Sequence, residues 1–256
     1  MTIFKRNRIL FLQLVVVALT IVIWEYSARN NLVNPLFTGQ PSVIAELFAE
    51  NIMDGTLFRA TWITMLETLT GFFSGIAIGS IIGMALWWSK LAGRVVEPLL
   101  VVFNAVPKIA LAPIFIVLLG VGFSMKVALS FTNVVVLASL SAYSGAKQSD
   151  TDLMDLIRSV GGGNWQIFKL VVFPTSLMWI VSILEIALGL AFIGAVTGEF
   201  LAARQGLGYL ALYGSNIFNM NLIWVVVIAM MIITVLMATI TRRISNRVLA
   251  WRKQAA

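Results

Sequence analysis

The sequence predicts an all-α, polytopic membrane protein with six transmembrane helices. Hydrophobic residues make up 60% of its 256 residues and charged residues only 11%, which is not the balance of a water-soluble domain. The mean hydropathy is +0.96, and the apolar residues are gathered into long runs. Six of these runs are long enough to cross a bilayer core of about 30 Å as helices, at about 1.5 Å per residue.

The residue types that are missing exclude several kinds of chemistry. The chain has no cysteine and no histidine, which excludes disulfides, thiolate metal sites and histidine general bases. We therefore expect no metal and no cofactor to be held by this chain. The net charge of +7 is carried by a few basic residues at the ends of apolar runs, a pattern typical of membrane topology rather than of nucleic-acid binding.

The predicted spans are residues 9–24, 69–88, 96–120, 125–146, 174–196 and 222–241. We expect the first to be a retained helix rather than a cleaved signal peptide, because no clear small-x-small cleavage site follows it. Residues 28–60 form a polar connection with a short helix around residues 42–51. The chain thus divides into an N-terminal helix with an external connection (1–60), a core of five spans (61–245) and a basic tail (246–256).

Two of the spans carry packing signals. Glycines recur four residues apart along the second span, and such a seam lets another helix approach closely, within this subunit or at a subunit interface. These glycines are Gly71, Gly75, Gly79 and Gly83. The third span contains Pro107 and Pro113, which free backbone carbonyls that need partners in protein or water, so we expect this span to border a polar pathway.

The basic residues predict the orientation of the spans. Thirteen of them fall on one side: Lys5, Arg6, Arg8, Lys90, Arg94, Lys147, Arg158, Lys169, Arg242, Arg243, Arg247, Arg252 and Lys253. Only Arg29, Arg59, Lys126 and Arg204 fall on the other side. Since cytoplasmic loops carry the excess of Lys and Arg, both termini and the loop at residues 149–174 are predicted to be cytoplasmic.

Residues 149–174 form a polar island between two apolar runs. Ser149 or Thr151 can cap a short helix, and aspartates favour its N-terminal end. The apolar residues of this helix recur at helical spacing on one face: Leu153, Leu156, Ile157 and Val160. Three glycines then stop the helix, Asn164 can cap a second one, and Pro174 marks the turn into the next span. The loop is therefore predicted to be a helical hairpin with exposed apolar side chains.

This loop resembles the coupling loop of permease subunits of binding-protein-dependent ABC importers. Asp155, Leu156 and Ile157 stand at the E-A-A positions of that signature, Gly161 at its glycine, and Pro174 closes it. The resemblance implies a type I ABC importer permease fold and an ATPase contact made by Asp155, Leu156, Ile157, Arg158, Gly161, Gly162, Gly163, Trp165 and Phe168. The alternative is an amphipathic helix lying in the lipid headgroups, which the aspartates of the loop disfavour.

Other fragments resemble permeases of the nitrate, sulfonate, taurine and pyrimidine-precursor import group. They are residues 107–113, Leu119-Gly120, Gly198-Glu199-Phe200 and Gly206-Leu207-Gly208. The resemblance implies a homodimer in the inner (plasma) membrane, a cytosolic ABC ATPase dimer that uses ATP and magnesium, and a periplasmic or lipid-anchored solute-binding protein. It also implies that residues 206–216 form an external loop dipping toward the pathway. The expected pathway residues are Pro107, Lys108, Pro113, Glu185 and Glu199.

Two charged residues lie inside the predicted spans, where an ionisable side chain is costly unless it is paired or lines water. Lys108 lies eleven residues past Glu97, and Glu185 eleven residues past Pro174, so both are predicted to lie about 16 Å deep. We predict that they pair, within one subunit or across a dimer, with or without a role in transport. A neutral Lys108–Glu185 pair would not select for anions. A neutral or weakly charged solute therefore remains an alternative to an anionic one.

No segment matches the G-x-x-x-x-G-K-[ST] phosphate-binding loop. ATP hydrolysis is therefore expected in a separate subunit, and this chain is not expected to be an enzyme. Two alternatives remain: an ion-coupled secondary transporter that uses Lys108 and Glu185 as its relay, and an intramembrane enzyme, for which no nucleophile with an evident base is placed at depth.

Overall fold

The computed structural model describes residues 2–202 and 204–248, and this part of the chain is helical with no strand. The predicted all-α class is confirmed. The helices are α1 (Thr2–Arg29), α2 (Pro35–Thr38), α3 (Pro41–Met53), α4 (Thr56–Ala85), α5 (Lys90–Ala105), α6 (Ala112–Leu119), α7 (Phe123–Lys147), α8 (Thr151–Ser159), α9 (Asn164–Ile167), α10 (Phe173–Ala202), α11 (Leu207–Asn216) and α12 (Met220–Val248). The last eight residues of the predicted basic tail, with Arg252 and Lys253, lie outside the described residues.

Five helical segments are long and apolar enough to cross a membrane: Phe11–Arg29, Thr56–Trp88, Phe123–Lys147, Asn164–Ala202 and Met220–Val248. The sixth candidate is a pair of helices, Lys90–Ala105 and Lys108–Leu119, that meet at 92°. The prediction of one continuous helix over residues 96–120 is therefore wrong. Pro107 lacks an N–H group and holds Val106 in an extended conformation, which ends α5.

The direction of the neighbouring helices shows that this bent pair crosses the bundle. Gly71 of α4 lies against Ser130 of α7, and Gly83 lies against Ala142, so α4 and α7 run parallel. An ion pair joins α5 to the last residue of α7, which places the start of α5 at that end. The chain must return through α5 and α6 before α7 begins. The six predicted crossings are thus present, with the third one broken.

Helices α4, α7 and α10 form the tightly packed centre of the bundle. A Cβ atom added at Gly79 or Gly83 would overlap a backbone carbonyl of α7, so the glycine seam is used for packing within this chain. On the other side of α7, a Cβ at Gly145 would lie 2.7 Å from the Cα of Ser176 in α10. Small residues therefore let both neighbours approach the α7 backbone.

The connection after α1 is fastened to the start of α12. Trp24 packs on Trp224 with ring centroids 5.0 Å apart. The indole N–H of Trp24 donates to the carbonyl of Gly39 at 3.2 Å, and that of Trp224 donates to Thr38 at 3.0 Å. Helix α3 then follows, close to the short helix predicted for residues 42–51. The predicted division at residue 60 lies within α4, which begins at Thr56.

We predicted that the fifth span begins at Pro174, but the helix begins earlier. A π-helical turn at Phe168–Val172 joins α9 to α10, so the helix runs from Asn164 to Ala202 without a turn in the chain. Pro174 cannot donate a backbone hydrogen bond, and its ring crowds the carbonyl four residues earlier in a regular α-helix. The wider π turn just before it relieves that crowding.

The described Lys and Arg residues gather mainly at one end of the bundle. We name this end the basic end; its residues include Lys90, Arg94, Lys147, Arg158, Lys169, Arg242, Arg243 and Arg247. The opposite end carries α2, α3 and α11. Because Trp24 near the end of α1 meets Trp224 near the start of α12, the N-terminal end of α1 and the C-terminal end of α12 both lie at the basic end.

Candidate functional site

Helix α8 begins the hairpin at the basic end, and Asp150 is its N-cap. The Asp150 Oδ1 atom accepts hydrogen bonds from the backbone N–H groups of Asp152 at 2.9 Å and Leu153 at 3.2 Å. The predicted caps, Ser149 and Thr151, are therefore wrong. Ser149 instead donates to the carbonyl of Gly145 at 3.3 Å, which ties it to the end of α7.

The glycines end α8 as predicted. Gly161 has φ +83°, a left-handed conformation that favours glycine, and its N–H donates to Arg158 O at 3.0 Å. A Cβ at Gly162 would overlap the side chain of Ile157. Gly163 caps α9, and its N–H donates to Gln166 Oε1 at 2.7 Å. The predicted cap, Asn164, is thus wrong, because it is already the first residue of α9.

The hairpin divides its apolar side chains between two faces. Met154 is buried, and Ile157 and Phe168 are half-buried beside it, against the ends of α7 and α10. The adjoining face exposes the side chains that we name the docking patch: Leu153, Leu156, Val160 and Trp165. Leu156 is 59% exposed and Trp165 is 64% exposed. Asp155 and Arg158 pair beside this patch at 2.7 Å. Such a patch on a short helix suits a groove in a partner protein.

Stacked aromatic rings join the hairpin to the end of α4. Trp165 stacks on Trp88 with centroids 6.1 Å apart and an angle of 26° between the rings, and on Phe168 with centroids 5.6 Å apart and an angle of 22°. Trp87 also contacts Phe168 at 5.9 Å. Trp87 and Trp88 form a tight turn after α4, and their contact with the hairpin was not predicted. The hairpin is therefore packed against the end of α4 through aromatic rings.

Glu199 lies at the opposite end of the bundle and is fully buried. Its Oε1 atom accepts a hydrogen bond from the Thr64 hydroxyl at 2.7 Å, and Oε2 accepts one from the Gly208 N–H at 2.6 Å. The N–H of Leu207 donates to the Thr64 hydroxyl oxygen at 2.9 Å. The network thus connects α4, α10 and the start of α11. A pathway role for Glu199 stays a prediction.

The glycines around α11 are explained by this carboxylate. Gly206 has φ +111°, and a Cβ atom there would overlap the Glu199 carboxylate. A Cβ at Gly208 would lie 2.8 Å from the Glu199 Cβ. The Gly206-Leu207-Gly208 sequence is therefore what allows the chain to fold closely over Glu199.

A buried ion pair lies near Glu199. Lys126 of α7 pairs with Glu67 of α4; they are 5% and 1% exposed. Lys126 was predicted to be one of the cations outside the membrane, whereas its side chain is buried in the bundle. Beside the pair lies a cavity of about 520 Å³ that reaches the exposed residues Arg204 and Gln205. Equal depth of the two charges on neighbouring spans was the one signal that could have revealed the pair.

The predicted pair of Lys108 with Glu185 is not formed within this chain. Glu185 accepts hydrogen bonds from Arg242 Nη2 at 2.6 Å and Nε at 3.2 Å. Lys108 donates from Nζ to the carbonyl of Asn104. Glu185 lies near the middle of the segment Asn164–Ala202 and faces α12, whereas Lys108 lies at the break beside α7 and α10. The intrasubunit form of the prediction is wrong; pairing across a dimer is not tested.

The two predicted pathway prolines lie on either side of the broken third span. Pro107 precedes a tight turn at Lys108–Leu111, and Pro113 lies in the first turn of α6, where its missing N–H costs no helical hydrogen bond. Lys108 lines a cavity of about 260 Å³ together with Asn133 of α7 and Thr197 of α10. The break therefore brings one charged and two polar side chains together, all of them half-buried.

Six crossings, a broken span and an apolar hairpin at the basic end define a membrane-embedded transport subunit. Residues 75–250 match the family described as binding-protein-dependent transport system inner membrane components, and the chain belongs to that family. It is thus a permease of the ABC transporter class and a transport component.

Relatives are similar over nearly the whole chain. A formylaminopyrimidine transport permease of Halalkalibacterium halodurans is 28% identical over 238 residues, covering 91% of this chain and 92% of its own. A taurine transport system permease of Escherichia coli is 23% identical over 239 residues (91% and 87%). A putative aliphatic sulfonates transport permease of Bacillus subtilis is 25% identical over 235 residues (92% and 85%).

The fold is also similar to solved structures. A chain of the inward-facing MetNI methionine ABC transporter matches with a TM-score of 0.67 and 22% identity, covering 77% of this chain and 97% of that chain. This likeness confirms the ABC importer permease fold that the loop and the spans predicted.

Proposed function

We propose that this chain forms the translocation pathway of an ATP-driven importer for a small solute, a sulfonate, taurine or a pyrimidine precursor. Relatives named for these three solutes support this range. The basic end faces the cytoplasm, because Lys and Arg gather there. Two copies of the chain enclose the pathway, and an external binding protein delivers the solute at the opposite end.

The docking patch carries this proposal. It leaves large apolar side chains exposed on a capped, glycine-terminated hairpin. A groove in a cytosolic ATPase dimer would cover them. ATP and magnesium act in that partner. When the ATPase closes, the hairpin moves, and the stacked rings of Trp165 and Trp88 carry the movement to α4.

In alternating access, the spans open the pathway first to one side of the membrane and then to the other. The broken third span, with Pro107, Lys108 and Pro113, borders the route, because freed backbone groups and a charged side chain need polar surroundings. The buried Glu199 network holds α11 over the external end. Glu185 is paired with Arg242 of α12.

The test is co-purification of the full chain with a candidate ATPase, followed by solute-stimulated ATP hydrolysis in nanodiscs. We expect the Leu156→Asp variant to lose the ATPase, because a charged side chain disrupts an apolar contact. Phe218→Asp is the control, since Phe218 is also a large, exposed apolar residue but lies between α11 and α12 at the opposite end. Retention of the ATPase by Leu156→Asp, or uptake that follows an ion gradient without ATP, would contradict the proposal.

A further inference from the structure

We propose that the break between α5 and α6 forms an anion subsite that takes the sulfonate or carboxylate group of the solute. We name it the Lys108 cavity and define its polar wall as Lys108, Asn133 and Thr197. The inference rests on the proposed function, because it assigns a chemical class to the solute that crosses this bundle.

The cavity lies between three elements on one side of the bundle, and its polar residues are half-buried. Lys108 begins the tight turn of the broken span, Asn133 comes from α7 and Thr197 from α10. Asn133 is seven residues along α7 from Lys126, or about 10 Å nearer the basic end. The volume of about 260 Å³ has room for a small organic anion. The subsite is therefore distinct from the buried Lys126–Glu67 pair.

The polar groups that line the cavity are all able to donate hydrogen bonds. They are the Lys108 ammonium, the Asn133 amide and the Thr197 hydroxyl, and no carboxylate is among the described residues of the wall. The ammonium contacts one carbonyl, that of Asn104, and an ammonium has three donors. Within the described part of the chain, the side chains of Asn133 and Thr197 make no hydrogen bond. An acceptor group with negative charge is the ligand that fits these donors.

No acidic side chain pairs with Lys108 within the described part of the chain. Glu185 does not neutralise Lys108 within the chain, because Arg242 holds it elsewhere. The positive charge of Lys108 is thus left to the cavity, which favours an anionic solute over a neutral pyrimidine.

The test uses the absence of cysteine from the chain. Asn133→Cys then carries the only thiol, and its reaction with anionic 2-sulfonatoethyl methanethiosulfonate is compared with that of the cationic trimethylammonium analogue. The purified full chain is held in nanodiscs, and rates are divided by those at Phe218→Cys. We expect the anionic reagent to be favoured by about tenfold, as electrostatic focusing in a cleft allows. Ethanesulfonate should slow the reaction.

Two variants show whether Lys108 is the cause. Lys108→Gln should abolish the preference for the anionic reagent, whereas Lys90→Gln, an exposed lysine at the basic end, should leave it unchanged. Thr197→Cys repeats the measurement from the facing helix and covers the case in which Asn133→Cys does not fold. Equal rates for the two reagents, no reaction, or a preference that survives Lys108→Gln would overturn the subsite.

This experiment contains no ATPase and no binding protein, so its outcome is separate from that of the proposed function. Loss of the anionic preference with intact ATPase coupling would remove the subsite alone. Failure of the ATPase to co-purify would remove the proposed function and leave the measured preference standing.

Discussion

Glu199 accepts a hydrogen bond from the backbone N–H of Gly208 at 2.6 Å, and this contact fastens the start of α11 to the centre of the bundle. The same carboxylate holds Thr64 of α4 at 2.7 Å. Because Glu199 is fully buried, each of these hydrogen bonds replaces one that water would otherwise supply. The opposite end of the bundle is therefore closed by a specific polar contact.

Gly206→Ala should destabilise the chain by about 2 kcal/mol or more, because alanine is strained at φ +111° and its Cβ would overlap the Glu199 carboxylate. The measurement is the thermal unfolding midpoint of the purified protein in detergent. Gly189→Ala is the control, since no atom lies within 4 Å of a Cβ there and alanine is a better helix former. Equal midpoints for the two variants would contradict the close packing over Glu199.

Lys126→Met should cost about 3–5 kcal/mol, because it leaves the Glu67 carboxylate buried without its partner. The double variant Lys126→Met with Glu67→Leu should recover most of that loss, since a buried ion pair can be replaced by apolar side chains of similar size. Thermal unfolding of the two variants in the same detergent provides the comparison. A double variant less stable than the single one would show that Glu67 makes stabilising contacts with groups other than Lys126.

The pairing of Glu185 is tested by charge reversal. Glu185→Arg alone should lower the yield of folded protein modestly, because the pair with Arg242 is partly exposed. Adding Arg242→Glu should restore the yield, measured as monodisperse protein on size exclusion. Lys108→Glu combined with Glu185→Lys should give no such recovery. Recovery in that second pair instead would favour a contact of Lys108 with Glu185 across a dimer.

Local patterns in the sequence were enough to predict the helical class, the six crossings and the hairpin. Helical spacing placed α8, and Gly161 ended it because a left-handed residue there favours glycine. The cap was missed, since Ser149, Asp150 and Thr151 are all good caps and only the backbone path decides between them. Similarly, Pro174 looked like a turn, although a π turn absorbs it within one long helix.

The contacts between distant residues were harder to predict. Lys126 with Glu67 and Glu185 with Arg242 depend on which spans are neighbours and how far each one extends. Depth alone did not identify the partner of Glu185, because Glu185 faces Arg242 of α12 whereas Lys108 lies against α7 and α10. One sequence carries no direct signal for lateral neighbours in the membrane, where most helix faces are equally apolar.

The central claim is that force from an ATPase enters through the docking patch at the basic end. The most direct measurement is cysteine cross-linking in the assembled transporter, with Val160→Cys in the patch and Phe218→Cys at the opposite end; both positions are exposed, at 78% and 82%. We predict that Val160→Cys forms a cross-link to the ATPase whose yield changes with ATP, and that Phe218→Cys forms none. Solute-stimulated ATP hydrolysis in a complex whose ATPase never cross-links to Val160→Cys, or does so only to Phe218→Cys, would contradict the account.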